Sequence, residues 1–348
     1  MAIRRGRAHR LIRWLWTSRR PDARLARLGL LPVAGLYGTA MSLRRYWYAR
    51  GWLPVHRLPL PAVAVGNLSV GGAGKTPIAS WIARYYAQRG LTPGILLRGY
   101  RGGDEAMVHA WQVPDARVVA NPDRLAGARE ALAAGAQVLV LDDAFQRLDV
   151  ARELNIAVIS AESARAVRWP LPAGPWREGI RALRRADMLV VTRRRADEAS
   201  AFRLARELSG GLRGPVAVVH LRVTRYEGLV SRRPVAAAQL AGKRVVAASA
   251  IGDPEAFIAQ TKATGAAVQA ATWRDHHGFG DDDVAWLAKA ARKADHVVIT
   301  RKDAVKLRER WPASVPEPLV ALLDLDWEEG HDALIGAQET VVAALEPL

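Results

Sequence analysis

The residues with the clearest chemical potential form one octapeptide, Ser69-Val70-Gly71-Gly72-Ala73-Gly74-Lys75-Thr76. Glycines let backbone N–H groups turn inward around phosphate oxygens, and a helix that starts after them directs its positive end at the same anion. In loops of this type, Lys75 reaches the β- and γ-phosphates and the Thr76 hydroxyl ligates Mg²⁺. The first position is normally Gly and is Ser69 here, but the octapeptide lies between a predicted strand and a predicted helix. The sequence therefore predicts a nucleotide-binding phosphate loop.

A pair of carboxylates, Asp142 and Asp143, follows the apolar run 137–141. In a fold with a phosphate loop, a carboxylate at the carboxyl end of a strand is where Mg²⁺ is held. Because Asp also caps turns and helices, a purely structural role is the alternative. The phosphate loop favours the metal-binding interpretation, in which either Asp142 or Asp143 is the ligand.

Alternating strands and helices from residue 61 onwards must position these groups. Apolar runs predict strands at 62–66, 94–98, 137–141, 156–160, 188–192, 244–250, 294–300 and 319–325. Helices are predicted at 76–90, 122–135, 254–264 and 281–293. Continuous apolar strands are typical of parallel sheets that are covered on both faces. The predicted fold class is α/β and P-loop NTPase-like, with a largely parallel sheet, a second smaller α/β domain and an N-terminal membrane-associated helical segment.

The predicted domain organisation has three parts, since 348 residues suit about two domains of ordinary size plus a terminal segment. Residues 1–55 are a basic, aromatic membrane-interface segment, and residues 56–226 are the nucleotide-binding domain. Residues 227–348 are a second α/β domain that closes over the cleft. The charged, turn-rich stretch 227–234 is the basis for the boundary.

The formal charge of +17 is concentrated at the N-terminus, where the first 50 residues contain twelve arginines and one acidic residue, Asp22. The uncharged segment 28–43 is shorter than the ~20 residues that a membrane-crossing helix needs, and it contains Pro32. We expect it to lie in a membrane interface, with arginines on an anionic surface. A cleaved signal peptide and a solvated basic tail before a buried helix are the alternatives. No nucleic-acid partner is predicted, because no recognition motif accompanies the charge.

Eight short motifs follow one another in a specific order between about residues 36 and 307. They are GNLSVGGAGKTP (66–77), RGY (98–100), GDE (103–105), DDAFQ (142–146), LPAGPWRE (171–178), AIGDPEAF (250–257), DHH (275–277) and TRKDAVKL (300–307). Each motif is weak by itself, but together they resemble the tetraacyldisaccharide 4′-kinase family of lipid A biosynthesis in Gram-negative bacteria. The basic, aromatic N-terminus is similar to the membrane-associated start of this family.

The resemblance implies transfer of the ATP γ-phosphate, with Mg²⁺, to the 4′-hydroxyl of a tetraacylated disaccharide 1-phosphate, the lipid A precursor. It implies that Asp104 is the base for that hydroxyl and that His276 is its partner, while Lys75 acts on the phosphates. Residues expected to line the same cleft are Glu105, Arg124, Gln146, Arg177 and Glu178. The lipid acceptor implies a peripheral or monotopic protein on the anionic, cytoplasmic face of the inner membrane. No obligate protein partner is predicted.

Two of these motifs also have simpler interpretations. Arg177 and Glu178 can also form a simple surface pair, and the DHH motif alone can be a metal site or a loop with hydrogen-bonded histidines.

The sequence departs from the family in two places. Only two residues, 101 and 102, separate the RGY and GDE motifs where the family has a longer segment. Ala144 and Arg147 replace a family Gly and His.

A membrane-recruited ATPase switch is the alternative function. ATPases of the partitioning type carry a second lysine at the position of Val70, which disfavours that class here. The sequence contains no Asn-Lys-x-Asp motif of the kind that reads guanine, which disfavours a GTPase. The intact Lys75, Thr76 and paired carboxylates argue against a structural protein with a vestigial nucleotide site. The absence of cysteine excludes disulfides and thiolate chemistry.

Overall fold

The computed structural model of the chain describes residues 7–99, 103–165 and 167–345. Its α-helices are α1 (Arg7–Thr17), α2 (Pro21–Ala49), α3 (Lys75–Gln88), α4 (Asp104–Gln112), α5 (Arg124–Ala133), α6 (Glu198–Ser209), α7 (Pro254–Lys262), α8 (Asp281–Ala291), α9 (Arg301–Leu307) and α10 (His331–Ala343). Its strands are β1 (Ala62–Asn67), β2 (Pro93–Leu97), β3 (Arg117–Ala120), β4 (Val138–Asp142), β5 (Leu154–Ser160), β6 (Met188–Arg193), β7 (Val216–Gly228), β8 (Pro234–Ala236), β9 (Arg244–Ser249), β10 (Ala267–Thr272), β11 (His296–Thr300) and β12 (Leu319–Glu329). Short 3₁₀ helices lie at Ala161–Arg165, Ile180–Arg185, Ala237–Leu240 and Arg308–Arg310.

The chain forms two compact units. The larger unit contains Arg10–His220 and the described part of Leu325–Leu348, and the smaller unit consists mainly of Leu221–Asp324. The chain passes from one unit to the other within β7 and again within β12. Helix α10 therefore belongs to the larger unit, where the hydroxyl of Tyr86 donates a hydrogen bond to Gln338.

The larger unit has a parallel sheet in the order β7–β6–β5–β1–β4–β2–β3. Every residue of β1 and β4 is buried, as expected for strands that helices cover on both faces. Val65 of β1 is in register with Asp142 of β4. Because parallel strands end at the same edge of a sheet, the segments after β1 and β4 meet there. The prediction of a largely parallel α/β sheet is confirmed.

The smaller unit has its own parallel strands in the order β10–β9–β11–β12. Its core contains Tyr226, Leu240, Val245, Phe257 and Val298. Strand β8 pairs antiparallel with the second half of β7. The smaller unit is thus an α/β unit in its own right.

Every strand and helix predicted from the sequence is present, with ends that move by a few residues. The helix predicted from residue 122 begins at Arg124, because the Asp123 side chain accepts hydrogen bonds from the Leu125 and Ala126 amides and caps it. The elements that were not predicted are β3, β7, β8, β10, α4, α6, α9 and α10. Most of these are short or lie at a sheet edge; β10, for example, is largely exposed and carries no apolar run.

Helix α2 is 29 residues long and includes Pro32 in its interior. Its buried residues are Ala23, Arg27 and Ala34, which share one face. Its exposed apolar side chains are Leu25, Leu28, Leu31, Val33, Leu36, Leu43, Tyr46 and Trp47. This exposure disagrees with the alternative of a buried core helix. Within the part of the chain that the structure describes, no helix combines the length and apolarity that crossing a membrane requires.

Candidate active site

The predicted phosphate loop runs from the end of β1 to the start of α3. Gly71 has a φ of 128° and Gly74 a φ of 88°, which residues with a Cβ atom rarely adopt. The hydroxyl of Thr192, on β6, donates to the carbonyl of Ala73 over 2.8 Å. The loop therefore has a fixed backbone conformation, as an anion site made of N–H groups requires.

Lys75 and Thr76 open helix α3, and each contacts a carboxylate at the end of β4. Lys75 Nζ donates to Asp143 Oδ1 over 2.7 Å and to Asn67 Oδ1 over 3.3 Å. Thr76 Oγ1 donates to Asp142 Oδ2 over 3.1 Å. The structure thus brings together the ammonium, the hydroxyl and both carboxylates that the sequence singled out.

Asp142 is buried and hydrogen-bonded on a second side to a histidine. His109 Nε2 lies 3.0 Å from Asp142 Oδ2, and His109 Nδ1 lies 2.8 Å from Ser80 Oγ. In the neutral ring that donates Nε2–H to the carboxylate, Nδ1 is the acceptor for the Ser80 hydroxyl. Burial would raise the pKa of Asp142, but the hydrogen bond from His109 and the charge of Lys75 hold that pKa below its ordinary value. Asp142 is therefore an ionised carboxylate beside Thr76 at neutral pH, and it can offer its oxygens to a metal ion.

Asp143 has a different environment. Its φ of 53° is uncommon for a residue other than glycine, and such strain clusters at functional sites. Its Oδ1 accepts from Lys75 and, over 3.0 Å, from Arg177 Nη1. The Asp143 side chain is exposed, and partial desolvation by the surrounding protein atoms would raise its pKa, but the charges of Lys75 and Arg177 lower that pKa below the ordinary value. Asp143 is the counter-ion of two cations for which a phosphate group would compete.

Gly66 permits the close approach of β1 to the turn that follows β4. A Cβ atom at this position would lie 2.5 Å from the backbone nitrogen of Phe145 and 2.6 Å from its Cβ. Since both atoms belong to a buried residue, neither can easily move aside. Gly66 therefore allows the phosphate loop and the carboxylate pair to share one edge of the sheet.

The two departures in the DDAFQ region are both accommodated by the structure. Ala144 is buried, its amide donates to the Val65 carbonyl over 3.0 Å, and its φ is not positive. A glycine is therefore not required there. Arg147 forms an ion pair with Asp149 over 2.6 Å and donates to the Pro122 carbonyl over 3.3 Å. Its side chain is engaged with neighbouring loops.

The segment that contains the LPAGPWRE motif supports the phosphate loop by main-chain hydrogen bonds. The Val70 amide donates to the Pro175 carbonyl over 2.8 Å, and the Arg177 amide donates to the Leu68 carbonyl over 2.7 Å. The Arg177 side chain also donates to Gln146 Oε1 over 3.3 Å. This pairing holds the Arg177 guanidinium at the site of the carboxylates.

Glu178 is buried, with 5% of its surface exposed. Both of its carboxylate oxygens accept from Arg185 over 2.9 Å, and Arg45 of α2 adds an ion pair of 3.4 Å. Arg177 and Glu178 thus contact different partners, so the two side chains do not form a simple surface pair with each other. The Glu178 cluster connects helix α2 to the segment behind the phosphate loop.

Arg124 and Gln146 bind backbone groups around the same edge. Arg124 is 2% exposed and donates to the carbonyls of Asp142, over 3.1 Å, and Asn121, over 3.2 Å. Burial lowers the pKa of Arg124 to about 10, so it remains charged at neutral pH. Gln146 Nε2 donates to the Asn67 carbonyl over 2.7 Å. Both side chains therefore stabilise the backbone that presents the reactive groups.

Asp104 and Glu105 are the first two residues of α4. Residues 100–102, which include the last residue of the RGY motif, lie outside the described residues. The same helix carries His109, which contacts Asp142. Five residues of α-helix span about 7.5 Å, so α4 starts within that axial distance of the residue that contacts the carboxylate pair.

The DHH motif lies in the smaller unit, between β10 and α8. His276 has a φ of 59°, and its amide donates to the Ala250 carbonyl over 3.2 Å. His277 Nε2 lies 2.8 Å from Asp283 Oδ2. Among the described residues, no group of three or more His, Asp and Glu side chains is arranged to hold a metal ion. His277 is therefore a hydrogen-bonded loop histidine, and the alternative of a metal site at the DHH motif is not supported.

Four residues that support the site were not singled out from the sequence: Asn67, His109, Glu162 and Arg194. Arg194 Nη1 donates to the Gly72 carbonyl over 2.7 Å. Glu162 Oε1 accepts from the Arg194 amide over 2.7 Å and from the two amides that follow. Asn67 could have been found, because it ends a strand directly before the loop. The others contact the site from distant segments.

We expect Glu162→Gln to destabilise the protein by on the order of 2–3 kcal/mol at pH 7. Burial would raise the pKa of Glu162, but the hydrogen bonds from Ser160 and three backbone amides lower it to about 2 from 4.5. A lowered pKa stabilises the folded state above about pH 4.5, and this contribution is lost as the pH falls towards 2. Chemical denaturation at pH 7 and pH 3 measures the difference, with exposed Glu198→Gln as the control. An equal loss of stability at both pH values would contradict the assignment.

The fold and the site define a nucleotide-binding protein of the P-loop class, with a phosphate loop and paired carboxylates at one edge of a parallel sheet. The family model of tetraacyldisaccharide-1-P 4′-kinase (LpxK) matches residues 26–337. The tetraacyldisaccharide 4′-kinase of Xanthomonas euvesicatoria is 33% identical over 305 residues, 82% of this chain and 86% of the relative. That of Syntrophotalea carbinolica is 34% identical over 304 residues, 80% of this chain and 82% of the relative.

A solved structure agrees with these relatives. The crystal structure of LpxK from Aquifex aeolicus in complex with ATP superposes with a TM-score of 0.72 and 26% identity, covering 91% of this chain and 99% of that one. The chain therefore belongs to the tetraacyldisaccharide-1-P 4′-kinase family. It is an enzyme, a kinase, as the motifs in its sequence predicted.

Proposed function

We propose that the protein transfers the γ-phosphate of ATP to the 4′-hydroxyl of a tetraacyldisaccharide 1-phosphate, the lipid A precursor. The observation that carries this proposal is the arrangement of Lys75 and Thr76 against Asp143 and Asp142, in a chain of this family. The 4′-oxygen attacks the γ-phosphorus, the bond to the β-phosphate oxygen breaks, and ADP leaves. Phosphoryl transfer of this kind depends mainly on positioning and charge stabilisation.

The phosphate groups would bind the loop amides and two cations. Lys75 and Arg177 both contact Asp143 Oδ1. The two cations are therefore close together before the nucleotide binds, and its phosphate oxygens would replace the carboxylate as their partner. The charge on the transferring phosphoryl oxygens then lies next to an ammonium and a guanidinium. Preorganised charges of this kind stabilise a transition state without the cost of reorganisation.

The oxygen groups beside the loop fit Mg²⁺. Asp142 is held ionised next to the Thr76 hydroxyl, and Mg²⁺ usually takes only one or two carboxylates, with water and phosphate oxygens completing its shell. Thr76 and Asp142 would hold the ion. Bound there, Mg²⁺ would supply positive charge that neutralises the negative charge developing during transfer.

Asp104 would orient the 4′-hydroxyl and accept its proton. Its place at the start of α4, on the helix that is bound to Asp142 through His109, supports this role. His276 would be the partner of Asp104 and keep its carboxylate oriented and ionised. Both roles rest on the match of these residues to the family motifs.

Helix α2 would bind the anionic, cytoplasmic surface of the inner membrane. Its exposed side carries Leu25, Leu28, Leu36 and Leu43, opposite the face that Ala34 and its neighbours bury. Each basic residue near an anionic leaflet contributes about 1 kcal/mol, so six of the twelve N-terminal arginines would supply roughly 6 kcal/mol. A lipid acceptor that never leaves the bilayer requires such a position.

The decisive assay combines purified enzyme, Mg²⁺, labelled ATP and detergent-dispersed tetraacyldisaccharide 1-phosphate. We expect label on the lipid, and a rate that falls by about 10²–10⁴ in Asp104→Asn and His276→Ala, as the loss of general-base catalysis predicts. Exposed Asp115→Asn is the matched control for the first variant.

Each other outcome of this assay has a definite meaning. Hydrolysis of ATP without any labelled lipid would reject the lipid substrate in favour of an ATPase switch. Full activity of Asp104→Asn would keep the kinase but assign the base to another residue.

A further inference from the structure

The TRKDAVKL motif contains none of the residues to which the proposed mechanism gives a role. In the smaller unit it forms the end of β11 and helix α9. The structure brings this helix next to two other motifs of the chain: the end of β9, which leads into AIGDPEAF, and the DHH loop. Three sequence motifs therefore converge on one cluster that contains His276.

Asp303 anchors the start of α9 to the end of β9. It is fully buried, and both of its carboxylate oxygens lie 3.2 Å from the Ala250 amide. The hydroxyl of Thr300 donates to Asp303 Oδ2 over 2.6 Å. Since Ala250 also accepts a hydrogen bond from the His276 amide, the same strand end fixes both α9 and the histidine.

Lys302, the residue before this anchor, contacts the DHH loop directly. Its Nζ lies 3.0 Å from His276 Nε2 and 3.1 Å from Asp275 Oδ1. The Asp275 carboxylate also accepts from the His276 amide over 3.0 Å. One ammonium thus bridges an aspartate and the imidazole of the next residue, on a backbone with a φ of 59°.

The chemistry of the ammonium group determines the state of the imidazole. A lysine ammonium has three N–H donors and no acceptor, so His276 Nε2 must be the acceptor in this contact. A neutral imidazole has one N–H, which then lies on Nδ1. Protonation of Nε2 would break the hydrogen bond and place two positive charges 3.0 Å apart.

We propose that Lys302 is a positioning residue that holds His276 in the neutral tautomer with its proton on Nδ1, while Asp275 balances the lysine charge. This inference rests on the proposed role of His276 in phosphoryl transfer. With Lys302 in place, the proton that His276 can offer to a carboxylate is the one on Nδ1. The ring then acts as an oriented hydrogen-bond donor in its uncharged form.

The tautomer can be measured without any assay of activity. In the full chain labelled with ¹⁵N-histidine, long-range ¹H–¹⁵N spectra report which ring nitrogen carries the proton, and His276→Gln identifies the signal. We expect an Nδ1–H signal for His276 in the native protein. In Lys302→Met, which keeps the length of the side chain without its charge, we expect the Nε2–H tautomer to appear. Exposed Lys289→Met is the control and leaves the spectrum unchanged.

Kinetics provide the second measurement. We expect Lys302→Met to lower kcat for lipid phosphorylation by about 10–100-fold, by analogy with the loss measured when hydrogen-bond partners of metal-ligating histidines are replaced. The KM for ATP should stay the same, because the phosphate loop is not altered. Lys302→Arg, which retains a charged donor, should recover part of the activity and the Nδ1–H signal. A melting temperature close to that of the native protein establishes that the variants fold.

The outcomes separate this inference from the function on which it rests. An unchanged His276 tautomer in Lys302→Met would overturn the proposal, whatever the activity of the variant. A changed tautomer with full kinase activity would overturn the positioning role. If His276→Ala also retained full activity, the proposed role of His276 would fail as well, whereas a loss in His276→Ala alone would leave it standing.

Discussion

Replacement of Lys75 by methionine should lower kcat/KM for ATP by roughly 10³-fold or more, the largest effect that we expect from a single substitution. Removal of one preorganised donor at a developing charge lowers kcat by about 10²–10³, and Lys75 adds a full positive charge to that donor. In the structure its ammonium contacts both Asp143 and Asn67, so its position is determined on two sides. Steady-state kinetics with saturating lipid acceptor measure the change.

A control variant distinguishes a direct effect on catalysis from a loss of folded protein. Lys243→Met removes an exposed lysine of the smaller unit and should retain native kinetics. Removal of Lys75 also leaves Arg177 as the remaining cation on Asp143 Oδ1, so the fold should survive. Activity of Lys75→Met within tenfold of the native value would show that the loop does not bind the transferred phosphate.

The second large effect is expected at the carboxylate pair, where the sequence left the metal ligand undecided. We expect Asp142→Asn to lower kcat by about 10³-fold and to raise the Mg²⁺ concentration needed for half-maximal activity. Asp142 Oδ2 lies beside the Thr76 hydroxyl, whereas Asp143 Oδ1 is bound to Lys75 and Arg177. Titration of activity with Mg²⁺ at saturating ATP measures the difference.

Asp143→Asn is the matched variant for this prediction. It removes the counter-ion of the two cations, so we expect a change in the KM for ATP and a smaller change in the requirement for Mg²⁺. Because Asp142 is buried against His109, the folded fraction of Asp142→Asn must be measured, as the loss of a buried partner can cost about 3–5 kcal/mol. A larger shift in the Mg²⁺ requirement for Asp143→Asn would reverse the assignment.

The N-terminal segment illustrates the limits of sequence patterns. Composition alone indicated a basic, aromatic segment too short to cross a bilayer, and the apolar stretch 28–43 is part of the 29-residue helix α2. Its apolar content was compatible with either a buried or an exposed helix. Only the structure places Leu36 and Leu43 at the surface and Ala34 against the protein, because burial depends on which other elements cover the helix.

The elements around the site were predicted where their signal is local. Strands β1 and β4 are continuous apolar runs, and α3 has helical spacing and begins directly after the glycine-rich loop. Strand β10 was missed because it is an exposed edge strand with no apolar run, so its pairing with β9 alone defines it. Helix α4 is not predicted because it is only nine residues long and its clearest signal, two acids in the first turn, also fits a catalytic role.

The class of protein follows from the local sequence, because the phosphate loop consists of eight consecutive residues between a strand and a helix. The role of each single group depends instead on its contacts in the folded chain. Asp142 and Asp143 are neighbours with equal chemistry, and their different contacts distinguish them. Asp142 binds Thr76 and His109, whereas Asp143 binds Lys75 and Arg177. Lys302 and His276 are 26 residues apart, and their hydrogen bond exists because β9 and α9 converge on the same loop. A hydrogen bond depends on ångström distances between distant segments, which the order of residues along the chain does not specify.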